Sequence, residues 1–144
     1  MTQQAPQMSQ EQLSEWVREQ FQRANKHLAE NGVVFESVVT EESRYLAPYV
    51  AVWKLKSTAQ KFFWVISGDV PCDFVAYENA KNAREAIRHF SFNWQLQAEN
   101  LQKQGNVDQT KSDFIEMLIS RAEGLYDIYN REDLWKEASN SADA

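Results

Sequence analysis

A chain of 144 residues, 43% hydrophobic and 25% charged, has room for one domain with a sizeable buried core, and its composition is neither that of a disordered chain nor that of a fibrous repeat. A formal charge of −6 argues against non-specific binding to nucleic acid, which needs Lys and Arg gathered on one face, and the lone Cys72 excludes an internal disulfide framework. No stretch reaches the roughly 20 apolar residues of a membrane span, and the Met-Thr-Gln-Gln-Ala-Pro-Gln start has neither the basic patch nor the apolar run of a signal peptide, so a cytoplasmic protein is expected.

Residues 1–8 and 139–144 are polar, small or acidic and read as tails around a single domain at 9–138. Ser9 with Gln12 is a capping-box pattern that starts a helix, and Leu13, Trp16, Val17, Phe21, Ala24 and Leu28 recur on one stripe of it. Asn31-Gly32 supplies the left-handed stop. Val33 to Val39 is β-branched enough for a first strand, and Pro48, which cannot donate in a central ladder, places the next strand just after it.

The two runs Tyr49 to Lys56 and Lys61 to Gly68 read as an antiparallel hairpin. Pairing Lys56 with Lys61 sets Trp53 opposite Trp64, Leu55 opposite Phe62 and Ala51 opposite Ile66 on one buried face. Val50, Val52, Phe63 and Val65 then share the other face, which needs the first helix or a second subunit to cover it, and they are the expected interface residues. The Gly68 to Asp73 segment is a dense turn. Ala76, Ala80, Ala83, Ile87, Phe90, Trp94 and Leu101 follow at helical spacing, ending at Gly105-Asn106. Thr110 with Asp113 reads as the capping box of a last helix bearing Phe114, Met117, Leu118, Ala122 and Leu125, with Leu134 and Trp135 closing onto the core. The expected fold is α+β: one helix, a three-stranded antiparallel meander, then two long helices packed on the sheet.

No segment carries a catalytic, metal or nucleotide motif. Arg84 and Arg88 lie one helical turn apart and can clamp a carboxylate or phosphate, with Arg44 and the turn residues Asp69 and Asp73 nearby; the same arginines can equally pair with those acids or with Glu41 and Glu42. Cys72 lies beside Asp73 close to the expected start of the second helix, where a thiolate can be stabilised, but neither His27 nor His89 has the spacing of a partner base. Two scattered histidines give no metal spacing, and no cofactor is implied.

The strings at 42–56 (ESRYLAPYVAVWKLK), 64–71 (WVISGDVP) and 83–91 (AREAIRHFS) resemble an uncharacterised family of small bacterial proteins known as a domain of unknown function. That resemblance runs from about the first helix to the end of the last and implies a soluble bacterial protein, with no activity, ligand or site attached. The expected function is that of a non-enzymatic binding or adaptor protein, a homodimer with small acidic secretion chaperones as a fold-level analogy. The second reading is an anion-binding module with its pocket between the Asp69 turn and Arg84 and Arg88.

Overall fold

The computed structural model describes residues 8–135. Of the tails expected at 1–8 and 139–144, residues 1–7 and 139–144 lie outside the described residues, as do the last residues, 136–138, of the expected domain. Ser9 closes the capping box read from the sequence: Gln12 N donates to Ser9 Oγ at 3.1 Å, and Ser9 N donates to Gln12 Oε1 at 2.9 Å. Helix α1 (Gln10–Glu30) follows. Gly32, at φ +81°, turns the chain out of it into β1 (Phe35–Val38).

Among the described residues the sheet is antiparallel and has five strands rather than three. Strand β2 (Arg44–Leu46) precedes the hairpin of β3 (Val50–Ser57) and β4 (Phe62–Gly68), and β5 (Asp73–Ala76) follows it. Both β1 and β2 pair with the same edge of β3, one with its end and one with its start. A 3-10 turn at Thr40–Glu42 separates them. Across this break Ser43 stands in for the missing ladder partner: Lys54 N donates to Ser43 Oγ at 2.9 Å, and Ser43 Oγ donates to Val39 O at 2.9 Å. The two additional strands are short, and β5 takes up Ala76, which the sequence reading had placed on a helix.

The hairpin register corrects the expected pairing by one residue. Lys56 pairs with Phe62, Lys54 with Trp64 and Trp53 with Val65. The cause is the loop: Ser57 N donates to Lys61 O at 2.8 Å, leaving the three residues Thr58, Ala59 and Gln60 to make the turn, with Gln60 at φ +65°. An odd loop slips the pairing by one residue and sends Trp53 and Trp64 to opposite faces.

Each face is buried under helices. Val50, Val52, Trp64 and Ile66 form one core with α2 (Ala83–Gln104) and α3 (Gln109–Tyr129), including Phe90, Trp94 and Leu118. Ala51, Trp53, Leu55 and Val65 form the other with Ala24 and Leu28 of α1, and Phe63 packs against it. The expected interface set is thus divided between two faces: Val50 and Val52 are buried under α2 and α3, while Val65 is buried, and Phe63 packed, under α1. Each fully buried large side chain here removes about 2–3 kcal/mol worth of apolar surface from water.

The indole N–H groups of Trp53, Trp64 and Trp135 are satisfied within this packing. Trp64 Nε1 donates to Ala80 O at 2.8 Å, Trp53 Nε1 to Ser67 Oγ at 3.2 Å, and Trp135 Nε1 to Ile128 O at 3.1 Å. Helix α2 starts only at Ala83, capped by Asn82, whose side chain accepts from Glu85 N. Helix α3 is capped by Asp108, accepting from Lys111 N at 2.8 Å, in place of the expected Thr110; Asp113 instead accepts from Gln109 Nε2. Arg84, early in α2, meets Tyr129, late in α3, so the two helices run antiparallel.

Candidate functional site

The five residues expected to hold a ligand do not form one site. Arg44 projects from β2 to within 6.0 Å of the Trp135 ring, and Arg84 lies 5.8 Å from the same ring and 5.1 Å from that of Tyr129. Arg84 Nε donates to Tyr129 O at 3.0 Å and its Nη2 to Glu132 Oε2 at 3.1 Å, so this guanidinium fastens α2 to the end of α3. Arg88 turns instead to Glu85, 3.7 Å away. Asp73 accepts from Trp94 Nε1 at 2.9 Å and from Phe74 N at 2.8 Å, which ties β5 to α2. Asp69 faces Arg121 of α3 at 3.7 Å, in a different part of the molecule from Arg88.

The remaining polar candidates are occupied in the same structural way. Glu42 accepts from Lys54 Nζ at 3.0 Å, and that ammonium sits 4.0 Å from the centre of the Tyr77 ring, on the sheet face covered by α2 and α3. His89 Nε2 lies 3.1 Å from Asn93 Nδ2. Burial pushes the Cys72 thiol up from its ordinary value, only partly opposed by the neighbouring Arg23. Its distance in sequence from Ala83, with β5 and a 3-10 turn at Tyr77–Asn79 in between, removes the helix start that was to stabilise a thiolate.

What the surface does offer is a groove of about 740 Å³ between that 3-10 turn, the outer face of α2 and the end of α3. Glu78 and Lys81 stand on the turn side, while Glu85, Arg88 and Phe92 line the α2 side and Tyr126 the α3 side. Glu85 is held in place twice, by Arg88 and by Tyr129 Oη, which donates to it at 3.2 Å. Phe92 is 59% exposed and Tyr126 50% exposed. Neither was singled out from the sequence, although a signal exists for Phe92: it lies off the buried stripe of Ile87, Phe90 and Trp94, on an exposed face that it shares with Leu96 one turn on. Arg88 is the one expected ligand residue that the groove contains.

Fold and surface together define an α+β domain with one helix on one sheet face, two on the other, and an open polar groove bearing aromatic side chains. The chain belongs to the family described as Domain of unknown function (DUF4826), which matches residues 10–135. No curated protein and no solved structure matches the chain. Among the described residues no helix is long and apolar enough to cross a membrane.

Proposed function

We propose that the protein is a non-enzymatic binding module that docks a protein partner in the groove between the Tyr77–Asn79 turn and α2 and α3. The observation that carries this reading is the exposure of Phe92 and Tyr126 in one groove whose charges, Glu78, Lys81, Glu85 and Arg88, are balanced in sign. Large aromatic side chains inside a polar rim are the anchors from which protein interfaces derive most of their affinity. Aromatic burial in such a groove needs no catalytic group, and the charged rim gives orientation.

A second copy of this chain is the partner measured most directly. Size-exclusion chromatography with light scattering at micromolar concentration is expected to show a dimer for the wild type and a monomer for Phe92→Ser. If the wild type is a monomer, the partner is another protein, and affinity capture must then retain a protein on the wild type that Phe92→Ser and Tyr126→Gln lose. Truncating an anchor costs about 2 kcal/mol or more, roughly a thirtyfold loss of affinity. A monomer whose retained proteins are the same for all three chains would overturn the proposal.

A further inference from the structure

The outer face of α2 is symmetric about its own middle. Glu85, Arg88, Phe92, Leu96, Glu99 and Lys103 follow one another at intervals of three or four residues, which sets all six on one stripe of the helix. The buried stripe of Ala83, Ile87, Phe90, Trp94 and Ala98 lies on the opposite side, against the core. Phe92 and Leu96, 59% and 41% exposed, are the apolar centre of the outer stripe, and its charges stand at both ends.

Phe92 and Leu96 lie two residues either side of Trp94, Glu85 and Lys103 nine residues either side, and Arg88 and Glu99 match to within one residue. Turned end for end against a second copy, the stripe therefore sets Phe92 against Leu96, Arg88 against Glu99 and Glu85 against Lys103, with opposite charges facing at every position. Laid parallel and in register, it would set each charge against itself. Within the chain these charges meet only as neighbours on an exposed helix, Arg88 with Glu85 at 3.7 Å and Lys103 with Glu99 at 3.3 Å. Such contacts are weak and leave both groups open to a second chain.

We propose that the occupant of this face is a second copy of the chain, its α2 packed antiparallel on the first about a two-fold axis at the level of Trp94. The assignment rests on the binding role given to the groove at Phe92 and names its partner. Burial of Phe92 and Leu96 from each copy supplies the affinity, and the charges select the antiparallel direction. At a shallow crossing of about 20°, two stripes about 27 Å long stay in contact from end to end. The contact is isologous, so it closes at two copies and leaves no apolar stripe exposed for a third. One helix pair is small for a specific interface, so the dimer dissociates in the micromolar range.

Sedimentation equilibrium of the full chain at micromolar concentrations, with charge-reversed variants alone and mixed, tests the assignment. Arg88→Glu and Glu99→Lys each place like charges opposite one another twice in their own dimers, so each should self-associate roughly tenfold more weakly than the wild type. An equimolar mixture of the two restores both opposite-charge pairs and should associate within about threefold of the wild type. Glu99 lies outside the groove lining, so its effect reports the second helix rather than the groove itself. Circular dichroism should be unchanged in both variants, whose substituted side chains are exposed. A dimer lost in Phe92→Ser but indifferent to both charge reversals, or a mixture no tighter than its components, overturns the antiparallel assignment and leaves the groove reading standing. A wild type that stays monomeric overturns it as well, and the groove reading then passes to another protein partner.

Discussion

Replacing Gly68 by alanine isolates what a close backbone approach contributes to this fold. Gly68 ends β4 opposite Val50 at φ +126°, and a Cβ there would lie 2.5 Å from Tyr49 O and 2.7 Å from Val50 Cα. Both are backbone atoms next to a core strand, so no side chain can swing aside. Tyr49 O also accepts from Asp69 N at 2.8 Å, and Arg23 Nη1 donates to Gly68 O at 2.6 Å, so a shift that relieves the overlap disturbs both bonds. The unfavourable φ costs about 1–2 kcal/mol, and relieving the overlap adds about 1–3 kcal/mol. The total of roughly 2–5 kcal/mol is a large share of the usual 5–15 kcal/mol of domain stability, and at about 2–4 °C per kcal/mol it lowers the melting temperature by about 5–20 °C. Gly32→Ala is the matched control, because Gly32 has φ +81° but open space around its Cβ position, leaving only the conformational cost. Urea denaturation followed by circular dichroism measures both at constant m-value. Equal losses for the two variants would show that the Tyr49 to Gly68 approach is not a steric constraint.

The remaining expectations concern the register, the buried lysine and the thiol. Trp53 and Trp64 lie in separate cores, so the losses from Trp53→Phe and Trp64→Phe should add within about 0.5 kcal/mol in a double-mutant cycle; a larger coupling refutes the observed pairing. Lys54 is only 10% exposed at its side chain while Glu42 is 44% exposed, so Lys54→Met should change stability by under about 1 kcal/mol, and Glu42→Ala, which strands the ammonium, should cost about 1–3 kcal/mol. Urea midpoints in the reverse order would contradict this. The raised thiol pKa of Cys72 means the folded state holds its proton longer than the unfolded chain does. That contribution is present in full below the ordinary thiol value and is lost as pH rises through the folded one, so Cys72→Ser should flatten the alkaline fall in stability, and iodoacetamide should react with the native protein more slowly than with a free thiol. Equal alkylation rates would remove the burial argument.

The fold was legible where a residue pattern acts locally and obscure where it acts through a neighbour. Ser9 and Gln12 cap α1 as their spacing predicts, and the stripe from Trp16 to Leu28 packs on the sheet. The register was misread because a three-residue loop needs a left-handed residue at its end, and Gln60 carries that conformation without the Gly or Asn that normally announces it. Strand β5 was hidden because Ala76 and Ala80 happen to continue the helical spacing of Ala83 and Ile87. Arg84 and Arg88 were correctly read as one turn apart, but sequence spacing does not say which acid each one meets: Arg84 goes to Glu132, beyond the end of α3, and Arg88 to Glu85. The groove depends on the antiparallel return of α3, which brings Tyr126 beside α2.

The break between β1 and β2 bears on how the molecule behaves in concentrated solution. An unbroken strand along that side of β3 would present a continuous row of free N–H and C=O groups, a template on which another chain could extend the sheet. The 3-10 turn at Thr40–Glu42 cuts that row into two short runs, and the Ser43 hydroxyl keeps β3 satisfied without restoring an outward-facing ladder. The chain thereby protects a sheet edge against amyloid-like growth with one side chain and one turn, and the interruption lies on the side of the sheet opposite β5.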